Sequence, residues 1–368
     1  MTRPLTVVHV DTERGWRGGE RQAFWLAEGL RRLGHRSIVA ARPGEPLAQR
    51  AAAAGLEIFP CAPTSELDPT AALRLRTLLR RERVDLVHAH TAHAVALAAL
   101  ATLATDTRMV LTRRVSFPLK RNAASRWKYA RADALIGVCQ AAADSLLASG
   151  MDADRVSVVY SGVDLSRDVR PASRETLAAF GVRPGAPLVV IVAALVGHKD
   201  PVTFVRAMDV ARALVPGVQG LMVGEGPLRS SVEGEIAARG LGDVVRLAGY
   251  RTDADAIMAA ADVVALSSND EGIGGVVIDA MSFGKPVAAT AAGGVPEALA
   301  HGETGLVVPV GDHDALGRAI ARLLTDRELA ARLARGGLAR APLFSIERTV
   351  AGTLAVYERV MDAGSAGR

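Results

Sequence analysis

Two doubly wound α/β domains in tandem are the architecture this sequence predicts. The chain has 368 residues, long for one domain. Short β-branched runs alternate with helical patterns along nearly all of it. The alternation breaks once, in a polar stretch between Gly162 and Gly185, and then restarts.

In the first half, the runs at 5–10 (LTVVHV), 36–42, 56–60, 84–90 (VDLVHAH), 108–112, 133–138 and 156–160 read as strands. Most are nearly continuous apolar runs, as expected of parallel strands covered on both faces. Glu20–Leu33 reads as a helix, with Phe24, Ala27 and Leu30 at helical spacing. In the second half, 187–195, 220–226, 244–249, 262–267 (DVVALS), 286–290 and 305–310 read as strands. The expected domains are therefore 1–165 and 166–344. A last helix, roughly Ser345–Met361, follows the Pro-containing break at Ala341–Phe344 and is expected to cross back to the first domain. Two such domains leave a cleft between the carboxyl ends of their sheets, where ligands of these folds bind.

Composition narrows the function classes. Hydrophobic residues are 49% and charged residues 23%, which speaks against disorder. The longest quiet stretch, AVALAALATLA, is too short to span a bilayer. With no secretory leader in view, a cytoplasmic protein is expected. Cys61 and Cys139 read as buried small hydrophobes. The net charge of +5 suits an anionic partner. Only four of the 44 basic residues are Lys, a bias that a GC-rich genome also produces.

The most informative stretch is Ser267–Glu297, SSNDEGIGGVVIDAMSFGKPVAATAAGGVPE. A strand ends, an acidic glycine-rich turn follows, and a helix starts near Gly274. Gly272, Gly274 and Gly275 let backbone approach a ligand, and the free amides of the helix's first turn suit an anion such as a diphosphate. Glu271 lies beside them on the loop. Asp279 lies one turn into the helix. Taken alone, Glu271 is a solvated loop acid and Asp279 a surface helix residue.

These residues resemble the retaining glycosyltransferases of family 4, which have the GT-B fold of two Rossmann-like domains facing each other across a cleft. The family's mark is two acids separated by seven residues; here they are Glu271 and Asp279. GLMVGEGPLR, ADVVALSSNDEG, HGETGLVVPVGD, RGGERQAFWLAEGLRRLGH, DLVHAH and VVYSGVD follow the family's order and spacing. The resemblance implies a transferase that moves a sugar, with retention, from a nucleoside-diphosphate sugar to a glycan, lipid or small-molecule acceptor. It implies no cofactor, no metal and no nucleic acid. Glu271 is then expected on the donor sugar and Asp279 on the ribose. The amides near Gly272, Ile273, Gly274, Gly275 and Val276 are expected on the diphosphate, with Lys199 and the neighbouring His198. Gly18 and Gly19 are expected near the donor, or act simply as a helix cap. A non-catalytic nucleotide-sugar-binding protein of the same fold is the alternative.

The chain departs from the family's pattern at five places. Ala194 stands where an Arg is usual, Arg114 roughly where a His is usual, Ile273 for an aromatic, Ser161 for Asn, and Asp279 for Glu. Arg114 is therefore expected to replace the charge missing at Ala194, and counts with Glu271 and Lys199 as a catalytic candidate. Arg113, Arg17 and His198 are lesser candidates for that charge. His88 and His90 alternate on one strand and face one side, with no third metal ligand in view. The pairs Asp152/Asp154 and Asp253/Asp255 are expected to be helix caps.

Arg113, Arg114, Lys120, Arg121, Arg126, Lys128 and Arg131 crowd one stretch, and Arg74, Arg76, Arg80, Arg81 and Arg83 another. A solvated arginine excess is the favoured explanation. Peripheral contact with an anionic membrane is the other.

Overall fold

All thirteen expected strands form, each within a few residues of its sequence limits. In chain order the first elements are β1 (Thr6–Val10), α1 (Gly18–Arg32), β2 (Arg36–Ala41), α2 (Pro46–Ala53), β3 (Glu57–Pro60), α3 (Pro69–Arg81) and β4 (Leu86–Ala89). Then come α4 (Ala92–Ala101), β5 (Arg108–Arg113), α5 (Ala123–Ala130), β6 (Ala134–Gly137), α6 (Gln140–Ala148) and β7 (Val156–Val158). The computed structural model describes residues 3–119 and 122–366, so Lys120 and Arg121 lie outside the described residues.

The second series is α7 (Arg174–Ala178), β8 (Leu188–Val192), α8 (Pro201–Leu214), β9 (Gln219–Val223), α9 (Arg229–Ala238), β10 (Val245–Gly249), α10 (Ala254–Ala259) and β11 (Val263–Leu266). It continues with α11 (Gly275–Ser282), β12 (Val287–Thr290), α12 (Val295–Ala298), β13 (Leu306–Val308), α13 (His313–Thr325) and α14 (Arg327–Arg340). A 3-10 turn at Ala341–Phe344 leads into α15 (Ile346–Ala366). The chain divides into two units, Met1–Gly162 with Ser345–Arg368, and Val163–Phe344.

The first unit holds a seven-stranded sheet ordered β3-β2-β1-β4-β5-β6-β7, and the second a six-stranded sheet ordered β10-β9-β8-β11-β12-β13. Every strand pairing is parallel. Strand order reverses between β1 and β4 in one unit and between β8 and β11 in the other. In open α/β sheets that reversal opens a crevice outside the carboxyl ends of the strands.

Both faces of each sheet are covered, and aliphatic side chains do most of the covering. In the second unit one core gathers Val189, Ile191, Phe204, Met208 and Ile320, and another gathers Val190, Leu221, Val264, Ile278's neighbour Val277 and Met281. In the first unit α15 lays Val350, Val356 and Tyr357 into a core with Leu26, Leu30 and Ile136. Local chemistry sets the helices. In α3, Asp68 caps the start by accepting from Thr70 and Ala71 amides at 3.0 Å, Pro69 occupies the first turn, and Leu75, Leu78 and Leu79 are buried. Truncating Leu75, which is fully buried, to Ala costs about 2–5 kcal/mol.

The two cysteines are free and buried, and burial pushes the Cys61 thiol up to about 11. Among the described residues no helix is long and apolar enough to cross a membrane.

Candidate functional site

In the second unit the loops leaving β8 and β11 meet at the crevice between those strands. Asn269 N donates to His198 O at 2.8 Å, and Ser267 Oγ donates to Asp200 O at 2.9 Å. These bonds hold the two loops side by side. Lys199, at the end of a 3-10 turn (Gly197–Lys199), then places Nζ 2.6 Å from Glu271 Oε1. Ser268 Oγ donates to the same oxygen at 2.7 Å. Glu271 is buried, with Lys199 partly open beside it. His198 is exposed.

The turn between Glu271 and α11 has little freedom. Gly274 caps the helix in the left-handed region, φ +73°. Gly293, φ +50°, lies so close that a Cβ there would sit 1.9 Å from Glu271 O. Gly294 N also donates to Gly272 O at 2.8 Å. Ile273 is buried, and Gly272, Gly275 and Val276 are partly exposed. The first turn of α11 thus opens beside the Lys199–Glu271 pair, offering amides and the positive end of the helix dipole to an anion.

Asp279, one turn further along α11, has a cationic partner of its own. Its carboxylate is buried and accepts from Arg167 Nη2, while Arg167 Nη1 donates to Asp255. Burial works against the Arg167 charge, but Asp279 and Asp255 more than offset it and raise its pKa. The expectation that Asp253 and Asp255 are helix caps is corrected in part, since Asp253 does stand at the cap position of α10. Asp253 is bonded to Arg251 at 2.7 Å and makes no side-chain cap bond, and Asp255 serves Arg167. Asp152 does cap, accepting from Asp154 N at 3.2 Å.

In the first unit, Arg113 and Arg114 point to opposite sides of β5's end. Arg113 is buried, donating to Ser145 Oγ at 3.2 Å and to Phe117 O. Arg114 donates to Ser161 Oγ at 3.3 Å and lies 3.2 Å from His90 Nδ1. Its Cδ would be 3.7 Å from a Cβ on Gly19. Gly18 and Gly19 open α1 behind Arg17, whose amide donates to Glu20 Oε2 at 2.7 Å. Burial lowers the Arg114 pKa to about 10, against the opposing pull of Asp11 and Glu20.

A third histidine joins His88 and His90. His9 of β1 is the register partner of His88 on β4, and its Nδ1 lies 3.1 Å from His90 Nε2. His88 bonds Tyr357 and, at 2.7 Å, Thr112. One ring nitrogen from each histidine lies within 4.8 Å of the others, a spacing open to a metal ion. The hydrogen bonds and the Arg114 cation beside His90 favour a neutral relay instead. Burial lowers His9 to about 3 and His88 and His90 well below their ordinary value. Asp11, at the end of β1, is raised to about 7 by burial and by Glu20. His9 Nε2, Asp11 Oδ2 and Arg114 Nε are enclosed without a hydrogen-bond partner.

The chain matches the family described as "Glycosyl transferases group 1" over residues 173–340 and "Glycosyltransferase Family 4" over residues 16–167. It is 34% identical to a D-inositol 3-phosphate glycosyltransferase of Salinispora arenicola, covering 77% of this chain and 66% of that one. It is 33% identical to the protein of the same name from Saccharomonospora viridis, covering 77% of this chain and 67% of that one. The chain belongs to the group 1 glycosyltransferases of family 4. It spans about two thirds of the length of these relatives. Among solved structures, a glycosyltransferase of Rickettsia africae superposes with a TM-score of 0.84 at 21% identity, over 98% of this chain and 99% of that one. Anabaena Alr3699/HepE in complex with UDP-glucose superposes with a TM-score of 0.82 at 21% identity, over 98% and 100%. Both likenesses concern the fold, which is GT-B.

On this family 4 chain, Lys199, Glu271 and Asp279 fall inside the first matched segment, and Gly18, Gly19 and Arg114 inside the second. His9, Asp11 and Arg167 were not singled out from sequence. The alternation in VVHVD was the available signal for the first two, since it puts residues 9 and 11 on one face.

Proposed function

We propose that the chain transfers a sugar from a nucleoside-diphosphate sugar to an acceptor hydroxyl, with retention and without a metal ion. The observation that carries this is the Lys199–Glu271 pair beside the first turn of α11. Lys199, with the amides of Gly274, Gly275 and Val276, binds the diphosphate and stabilises its charge as it departs. Glu271 holds hydroxyls of the donor sugar, and Asp279 the ribose. A cationic side chain and a helix N-terminus together do the work that a divalent cation does in other phosphate-handling sites.

Arg114 supplies the positive charge that Ala194 lacks, or holds an anionic acceptor. Its planar fork matches two phosphate oxygens, which a lysine cannot reproduce. Likeness to the inositol-phosphate enzymes makes a phosphorylated cyclitol the first acceptor to test. A lipid acceptor draws less support. Arg113 is buried, Arg76 donates to Leu100 O at the end of α4, Arg80 to Ala104 O just beyond it, and Lys128 pairs with Glu66, so part of the basic stretches is already engaged by the protein itself.

A turnover assay with UDP- and GDP-sugars, with inositol 3-phosphate among the acceptors, tests the proposal. Product configuration is read by NMR with and without EDTA. Retained configuration and EDTA-resistant turnover are expected. An inverted product, or activity abolished by EDTA, rejects the mechanism. Nucleotide-sugar binding without transfer favours the non-catalytic alternative.

A further inference from the structure

Arg167 sits at the start of the second unit, 112 residues before Asp279 in sequence, yet its guanidinium is the centre of a buried polar junction. Nε donates to Asp164 O at 2.7 Å. Nη1 donates to Asp255 at the start of α10, and Nη2 to Asp279 Oδ1 on α11. The guanidinium carbon lies 5.6 Å from the centre of the Phe283 ring. Asp279 is 2% exposed and Arg167 19%. One planar fork therefore orients and neutralises two carboxylates on two helices. A lysine, with its single ammonium, cannot span both in that way.

Asp279 lies one helical turn behind the amides of α11 that face the crevice. A carboxylate so placed is useful to a diol only if its plane is fixed and its charge offset, because a diphosphate next to it is strongly negative. Left alone, a buried carboxylate takes up a proton or turns towards water. We infer that Arg167 is the positioning residue of the ribose subsite: it fixes the Asp279 carboxylate in the orientation that accepts the ribose hydroxyls of a nucleoside diphosphate. The inference rests on the donor role proposed above. It also gives the short acid at 279 a reason to work, since Arg167 fixes the carboxylate that a longer side chain would carry further.

Calorimetry with UDP and GDP, and with their 2′,3′-dideoxy analogues, tests this on the full chain and on R167M, R167K and D255N. R167M keeps the stem beside Phe283 and removes the charge. The wild type is expected to prefer the ribose form. In R167M the affinity for the ribose form falls roughly tenfold or more, the loss typical of a charged hydrogen bond, while the affinity for the dideoxy form is unchanged. R167K recovers part of the loss, and D255N less than R167M removes. Equal losses for ribose and dideoxy forms in R167M make Arg167 a structural staple and overturn the inference. So does tighter binding, which makes it a latch over the site. A wild type that binds nucleoside diphosphates without ribose preference overturns the roles of Arg167 and Asp279 at the ribose and leaves the diphosphate part of the donor proposal standing. A wild type that binds no nucleoside diphosphate overturns both.

Discussion

Lys199 Nζ and Glu271 Oε1 lie 2.6 Å apart, brought together from loops 72 residues apart in sequence. Each loop follows one of the two strands that flank the reversal of strand order in the second sheet. The pair is self-compensating before any ligand arrives. A donor diphosphate competes with Glu271 for Lys199, and the donor sugar competes with Lys199 for Glu271.

Removing one partner should therefore do more harm to the fold than removing both charges. K199M leaves Glu271 buried beside Ser268 alone, at a cost of about 1–3 kcal/mol. K199M combined with E271Q should regain much of that loss. Urea denaturation of the two single variants and the double variant measures the coupling. Strict additivity would contradict it.

The two acids should separate in kinetics. E271A is expected to lower kcat by about 10²–10³ with little change in donor KM, because its contacts strengthen in the transition state. D279A is expected to raise donor KM with a smaller effect on kcat. Steady-state kinetics with the best donor of the panel decides, and equal effects on both parameters in both variants would contradict the division.

Much of this was legible in the sequence. Buried parallel strands read as short apolar runs, so β11 was visible in VVAL and β8 in LVVIV. The Glu271 turn was visible because close backbone approach needs glycine. What pairs across the fold was not. His88 meets Tyr357 across 269 residues, and His9 meets His90 only because β1 lies beside β4. Arg167 looked like one more arginine in a polar segment until Asp255 and Asp279 were placed around it.

Arg114 should reveal its side of the reaction through a paired substitution. If it supplies the charge absent at Ala194, R114A loses nucleoside diphosphate affinity and A194R added to it restores part. If it serves the acceptor, diphosphate affinity is unchanged and only acceptor KM rises. Calorimetry and acceptor titration on the two variants separate the outcomes.

The first unit should carry opposing pH dependences. Asp11 is raised from 3.8 to about 7, so the folded state binds more protons than the unfolded one in that window, and stability falls as pH rises through it. His9 is lowered from 6.5 to about 3, so the folded state binds fewer protons, and stability rises with pH through that window. His88 and His90 act in the same sense as His9. D11N removes the carboxyl contribution. Its melting temperature should exceed that of the wild type at pH 7 and fall more steeply towards pH 4. Parallel melting curves for the two proteins across this range would contradict the assignment.

Gly293→Ala should damage the site from behind. The new Cβ would press on Glu271 O, and the left-handed φ adds strain of its own. A loss of about 1–3 kcal/mol in stability is expected, with turnover reduced in the surviving folded protein. Unchanged activity and stability would mean that the two loops part more easily than their hydrogen bonds suggest.

The central claim is that a nucleoside diphosphate binds where Lys199 meets the first turn of α11. The most direct test is calorimetric titration of UDP and GDP, beside uridine and guanosine, into the wild type and K199A. At least one diphosphate is expected to bind far more tightly than its nucleoside, and K199A to weaken it by roughly 10- to 100-fold while the nucleoside is unaffected. No measurable diphosphate binding at millimolar concentration, or binding indifferent to K199A, would contradict the account.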